Sequence, residues 1–168
     1  MNPIHQIKLK PEKEKRIREG HPWIFRGDIA EYIGAFEPGD IVEVIGSTGE
    51  FLAKGYINPH SKITVRILSR QRDEKIDQPF FVRTLQTAKD LRTRLAGGSS
   101  VYRGFFAESE GIPGLIVDRY HEHLVVQLLT LGVDVRRNEI LAALIDLYHP
   151  KGIFETSNVR GREPEGLE

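Results

Sequence analysis

Three kinds of hydrophobic patterning follow one another along the chain. Over residues 4–9 apolar and polar side chains alternate, which predicts a short strand; Pro11 then opens a charged stretch, 12–19, that reads as a short solvent-facing helix closed by Gly20. Between 23 and 70 the pattern changes to brief apolar runs at 41–45, 51–57 and 63–68, with Gly46-Ser47-Thr48-Gly49 between the first two. Short runs with turn signals at roughly ten-residue spacing predict a small closed or half-closed β-barrel. The third pattern is helical. After a polar stretch at 71–78, Phe81, Leu85, Ala88, Leu91 and Leu95 recur three or four residues apart, with Asp77 placed as the N-cap, Pro79 in the first turn and Gly97-Gly98 as the stop.

Downstream, apolar runs predict strands at 102–108, 115–120, 124–131 and 153–156. A helix is expected over 135–148, capped by Asp134, with Ile140, Leu141, Leu144, Ile145 and Tyr148 on its apolar face. In the Pro113-Gly114 turn, Pro113 presets φ and Gly114 supplies the positive φ of a type II turn. The fold class is therefore α+β: a barrel over residues 1–72, then a small α+β domain over 75–168.

Composition narrows the chemistry. The 168 residues include no cysteine, which excludes disulfides, thiolate metal sites and a cysteine nucleophile within this sequence. Charge balances overall at 24 against 24, but residues 1–72 carry twelve Lys and Arg against nine Asp and Glu, and residues 73–168 carry twelve against fifteen. The excess of positive charge comes first, with Lys8, Lys10, Lys13, Lys15, Arg16 and Arg18 crowding the first eighteen positions. That pattern fits a solvated helix face as well as a polyanion-binding one. No apolar run reaches the roughly 18 residues that span a bilayer, and the N-terminus lacks a signal peptide's apolar core; a cytoplasmic protein without membrane contact is expected.

Most candidate catalytic groups lack a constellation. His121 and His123 share a face if extended, but no third metal ligand is evident. Glu108, Glu110 and Asp118 supply carboxylates with nothing to set their separation. No Gly-x-Gly-x-x-Gly or phosphate-loop pattern occurs. Trp23, among apolar Pro22, Ile24 and Phe25, reads as a core plug flanked by His21 and Arg26 at the surface. Lys54, Tyr56, Asn58, His60 and Lys62 alternate along one run and would share a strand face, an arrangement open both to phosphate contact and to simple solubility.

Gly20-His21-Pro22-Trp23-Ile24-Phe25, Pro38-Gly39-Asp40-Ile41-Val42-Glu43-Val44 and Leu52-Ala53-Lys54-Gly55-Tyr56-Ile57-Asn58-Pro59-His60-Ser61 together resemble an N-terminal PUA domain. A helix follows, then Glu108-Ser109-Glu110-Gly111-Ile112-Pro113-Gly114-Leu115-Ile116-Val117-Asp118-Arg119-Tyr120. That order is similar to the SAM-dependent large-subunit ribosomal-RNA methyltransferases that act on carbon 5 of cytosine. The resemblance covers nearly the whole sequence and stops where a catalytic domain would begin. The stretch 160–168 is similar to the family's connection toward that domain and suggests truncation, with Leu167-Glu168 set aside as a vector remnant.

The resemblance implies an RNA-binding barrel, with Arg16, Arg18, His21, Arg26, Lys54, Tyr56, Asn58, His60, Lys62 and Arg66 as its contacts. It further implies that Asp118, Arg119 and Tyr120 serve a target-base cleft or a domain joint. Carbon-5 methylation needs a thiolate to add to carbon 6 first, which this chain cannot supply, so no catalytic residue, metal or cofactor site is expected here. S-adenosyl-L-methionine would belong to the parent enzyme. The expected partners are ribosomal RNA and the missing C-terminal methyltransferase domain, with a homodimer possible. A stand-alone RNA-binding adaptor and a dimerisation module are the alternative readings.

Overall fold

The computed structural model describes residues 5–157 and 160–167, and the chain divides into two compact units. The first holds residues up to Glu74 together with Pro164–Gly166; the second holds Lys75–Glu163 together with Leu167. The expected second domain runs unbroken from 75, so the return of three late residues to the first unit is a difference from the sequence reading. Among the described residues no helix is long and apolar enough to cross a membrane.

The first unit is a curled six-stranded sheet, ordered β2-β6-β5-β4-β1-β3. Its strands are β1 (Gln6–Leu9), β2 (Trp23–Phe25), β3 (Ile29–Ile33), β4 (Ile41–Ile45), β5 (Phe51–Ile57) and β6 (Ile63–Ser69). The alternation in β1 and β4 sends Ile7, Leu9, Val42 and Val44 to one side, where they meet Ile24, Ile29, Leu52, Ala53, Ile57, Val65 and Ile67 in one core. The predicted 12–19 helix is a 3-10 turn, Pro11–Lys13, followed by α1 (Glu14–Arg18), which contributes Ile17 to that core. Gly20, with φ at 105°, ends it as expected.

Trp23 is not the predicted core plug. The register pairs Trp23 with Arg66 and Ile24 with Val65, so Ile24 enters the core while Trp23 lies half-buried on the opposite face. Its ring meets His21 and Phe25 edge-on at 5.9 and 6.5 Å.

In the second unit a four-stranded sheet, ordered β10-β9-β8-β7, is built from β7 (Val101–Phe106), β8 (Leu115–Tyr120), β9 (His123–Leu128) and β10 (Gly152–Glu155). Neighbours are antiparallel except β9 and β10, which are joined through α3 (Leu131–Asp134) and α4 (Arg137–Tyr148). The long helix α2 (Gln78–Leu95) starts as predicted, the Asp77 carboxylate accepting from Phe80 N at 3.2 Å. Phe80, Phe81, Leu85 and Ala88 of α2 and Ile140, Ala143 and Leu144 of α4 are buried, as are Phe105, Leu115, Val117, Leu124, Val126 and Leu128 on the facing side of the sheet.

Three local expectations change. Residues 107–110 leave β7 for a 3-10 turn entered through Ala107 at φ 46°. β9 stops at Leu128, and Thr130 is the N-cap from which α3 starts at Leu131. Asp134 ends α3 instead of capping the next helix, and accepts from Arg137 and Arg162 at 2.8 and 3.2 Å.

Candidate nucleic-acid interface

Each predicted contact on the first unit is placed by a specific backbone feature. β5 ends at Ile57, and Asn58 N donates to Thr64 O at 2.8 Å, so residues 58–62 turn into β6 instead of continuing the strand. The predicted single face from Lys54 to Lys62 therefore splits. His60 and Lys62 stand exposed at the hairpin tip, and among the described residues their side chains make no hydrogen bond or ion pair. Tyr56 and Asn58 are each 2% exposed.

Strand register explains the burial. Ile41, Tyr56, Arg66 and Trp23 are consecutive cross-strand partners, so they form one row on the side of the sheet away from the core. Glu165 closes over this row: its carboxylate accepts from Arg66 at 2.7 Å and from Asn58 Nδ2 at 3.0 Å, and its carbonyl accepts from the same amide at 3.0 Å. Burial pushes the Glu165 carboxyl up, but the hydrogen bond and charge of Arg66, with Asn58 and Ser61, outweigh it and hold the group below its ordinary value. Tyr56, Asn58 and Arg66 are thus internal groups here, not exposed donors. The expectation that they stand on an open face is corrected.

The remaining predicted contacts divide by their partners. Arg16 pairs with the buried carboxylate of Asp28, which also accepts from Phe25 N at 2.8 Å, and lies 5.0 Å from the Phe25 ring. Arg18 pairs with both Glu14 and Glu50. His21 accepts from Trp23 N at 3.2 Å, and Lys54 donates to Glu74 O at 3.0 Å. Arg26 differs: its guanidinium reaches the carbonyls of Pro59, His60 and Ser61 at 2.8, 3.2 and 3.5 Å, which leaves its charge uncompensated. Lys10 joins it through Gly27 O at 2.8 Å. Lys10, Arg26, His60 and Lys62 thus ring one end of the sheet.

Lys10 belongs to the basic run of the sequence without standing out in it. Nothing in the sequence says that residue 10 ends beside residue 27; the backbone bond from Lys10 N to Asp28 O at 3.0 Å does that.

Asp118, Arg119 and Tyr120, predicted for a cleft or joint, lie at the end of β8 and line an open pocket of about 360 Å³ with Val101, Tyr102 and Arg103. Asp118 takes a bidentate grip from Arg103 at 2.8 and 3.0 Å, and these bonds raise the Arg103 pKa above its ordinary value. Arg119 points to the helix side, donating to Tyr102 Oη at 3.1 Å and to His121 O at 2.9 Å, with its guanidinium 6.0 Å from the Tyr148 ring. Burial pushes the Tyr148 phenol well up.

No group of three or more His, Asp or Glu suited to a metal occurs among the described residues. The parallel crossover after β9 turns at Thr130, whose side chain fills the space beside Gly114 and donates to Pro113 O at 3.3 Å.

Residues 7–70 match the PUA-like domain family. Ribosomal RNA large subunit methyltransferase I of Alteromonas mediterranea is 40% identical over 97% of this chain and 42% of its own length; that of Aliivibrio fischeri is 40% identical over 96% and 41%. The chain thus spans about two-fifths of the curated relatives it matches. Among solved structures, a protein described as a SAM-dependent methyltransferase from Streptococcus mutans superposes with a TM-score of 0.77 at 21% identity, over 90% of this chain and 40% of its own. A methyltransferase structure complexed with SAH gives 0.78 at 21% identity over the same shares, and both likenesses speak to the fold alone. The first unit matches the PUA-like domain family, and nearly the whole chain is similar to about two-fifths of the length of the ribosomal RNA large subunit methyltransferase I of these organisms.

Proposed function

We propose that this chain is the substrate-recognising region of a 23S ribosomal RNA methyltransferase and performs no methyl transfer itself. The observation that carries the reading is the ring of Lys10, Arg26, His60 and Lys62 on a PUA-like fold. Two of these side chains are held only by main-chain carbonyls and two have no internal partner among the described residues. Cations held this way keep their charge for an external anion, and a phosphodiester backbone is the anion that a row of such donors suits. In the parent enzyme these residues would grip rRNA while the remainder of the protein, carrying S-adenosyl-L-methionine, acts on carbon 5 of a cytosine. That region would also supply the thiolate nucleophile.

The test is a salt-dependent binding titration against a structured large-subunit rRNA fragment and a scrambled duplex. Lys62→Ala and Lys10→Ala should each weaken binding and reduce the slope of log K against log salt by about 1, the change expected when one phosphate is no longer neutralised. Arg18→Ala, whose charge already faces two carboxylates, should change neither. Unchanged affinity and slope in the Lys10 and Lys62 variants would overturn the assignment.

A further inference from the structure

α2 and α4 lie on one side of the four-stranded sheet. On the other side, strand register lays out a grid: Val101, Tyr120 and His123 in one row, Arg103, Asp118, Val125 and Phe154 in the next, and Phe106, Ile116 and Gln127 in the third. Tyr120 is 49% exposed, Phe154 58% and Phe106 45%, values at odds with the usual fate of large aromatic side chains. The Arg103 guanidinium sits 5.0 Å from the Phe106 ring, and the His123 and Phe154 rings are 5.9 Å apart.

We infer that this open sheet face is a binding site for unpaired RNA, with the pocket at Tyr120 taking one nucleobase. The inference rests on the proposed RNA-recognition role and adds a second, chemically different surface to it. A protein-binding face would be expected to keep charge out of its centre. Here an ion pair occupies the middle row, with aromatic rings around it. Arg103 uses Nε and one terminal nitrogen on Asp118, and its other terminal nitrogen makes no hydrogen bond among the described residues. The pair therefore offers a carboxylate acceptor and a guanidinium donor side by side, the combination that an exposed base edge with an amino group and an adjacent acceptor completes.

Tyr120 and Phe106 supply flat surfaces for stacking, and at about 360 Å³ the pocket lies at the small end of ligand sites, roughly 300–1,000 Å³. A four-stranded sheet with helices behind and aromatic rings in front is a general solution for holding single-stranded RNA.

Short single-stranded RNA oligomers of C, U or A, a matched duplex and the structured rRNA fragment would be titrated against the unmodified chain and three variants by fluorescence anisotropy. Tyr120→Ala should weaken single-strand binding roughly tenfold, the effect of removing one stacking platform, and Tyr120→Phe should restore it. Asp118→Asn should change the preference among the three oligomers, because an amide presents a donor where the carboxylate only accepts. Duplex affinity and salt slope should stay as in the unmodified chain, since those report the basic ring. Melting curves identify any variant that fails to fold, and Tyr120→Phe guards the conclusion in that case. Loss of duplex binding in Lys62→Ala with no single-strand effect in Tyr120→Ala would sustain the proposed function and overturn this inference. A lack of single-strand binding by the unmodified chain would overturn it too. So would conversion of a dimer to a monomer by Tyr120→Ala in sedimentation, which would make the face an interface between copies.

Discussion

Replacing Glu165 by alanine should destabilise the first unit, although residue 165 lies 96 positions beyond Ser69, where the last β-strand of that unit ends. The Glu165 side chain is 3% exposed and that of Arg66 11%, so the pair is nearly dry. Removing the carboxylate deletes the 2.7 Å ion pair and one of two bonds from Asn58, and leaves a buried guanidinium without the group that faces it. Breaking one side of such a pair costs about 3–5 kcal/mol. Replacing both partners by apolar residues of similar volume, Arg66→Met with Glu165→Leu, should cost far less, because the desolvation of both charges disappears together.

Trp23 is the only tryptophan, and its ring lies 5.9 Å from the Arg66 guanidinium, so urea unfolding followed by its fluorescence reports this unit selectively. The pH dependence has a fixed sign. A carboxyl held below its ordinary value of 4.5 contributes stability that is fully present above that value and lost as pH falls through the lowered one, and Glu165→Gln should flatten the acid limb. A Glu165→Ala midpoint and slope within error of the unmodified chain would show that residues 164–166 rest on the sheet without supporting it.

Two further outcomes follow from single positions. At Gly55 an added Cβ would lie 2.2 Å from the Arg66 carbonyl oxygen on the neighbouring strand; Gly55→Ala should therefore push β5 from β6 and lower stability by about 1–3 kcal/mol in the same fluorescence assay. Glu14 accepts from Ser47 N at 2.5 Å, and that main-chain bond, helped by the Ser47 hydroxyl and Arg18, lowers its pKa to about 2; a carbon-detected NMR titration should find it ionised to well below pH 4, and Ser47→Pro should return it toward 4.5.

Much of the architecture is local and so is readable in the chain. The strands at 41–45 and 51–57 and the strand at 115–120 fall where the apolar runs lie, because a sheet face selects every second residue whatever the distant partners are. The start of α2 is a single side-chain bond from Asp77, and the turn at Gly114 needs only its positive φ of 84°. By contrast β2 and β3 leave no such signal. The three residues of β2 are too few to show alternation, and β3 exposes Ala30, Glu31 and Tyr32 in succession because its pairing is with β1 alone.

The candidate surfaces divide along the same line. Sequence alone determined that the excess of positive over negative charge falls in the first unit, that no cysteine is present for chemistry, and that Asp118 and Tyr120 end a strand. Tertiary structure decided which charges remain available. Arg16, Arg18 and Arg66 look like Arg26 in the sequence, yet each meets a carboxylate brought from 12, 32 or 99 residues away, while Arg26 meets only carbonyls. A side chain's type is a local property and can be read directly. Whether its charge is compensated depends on what the folded chain carries to within a few ångströms, and no local pattern encodes that distance.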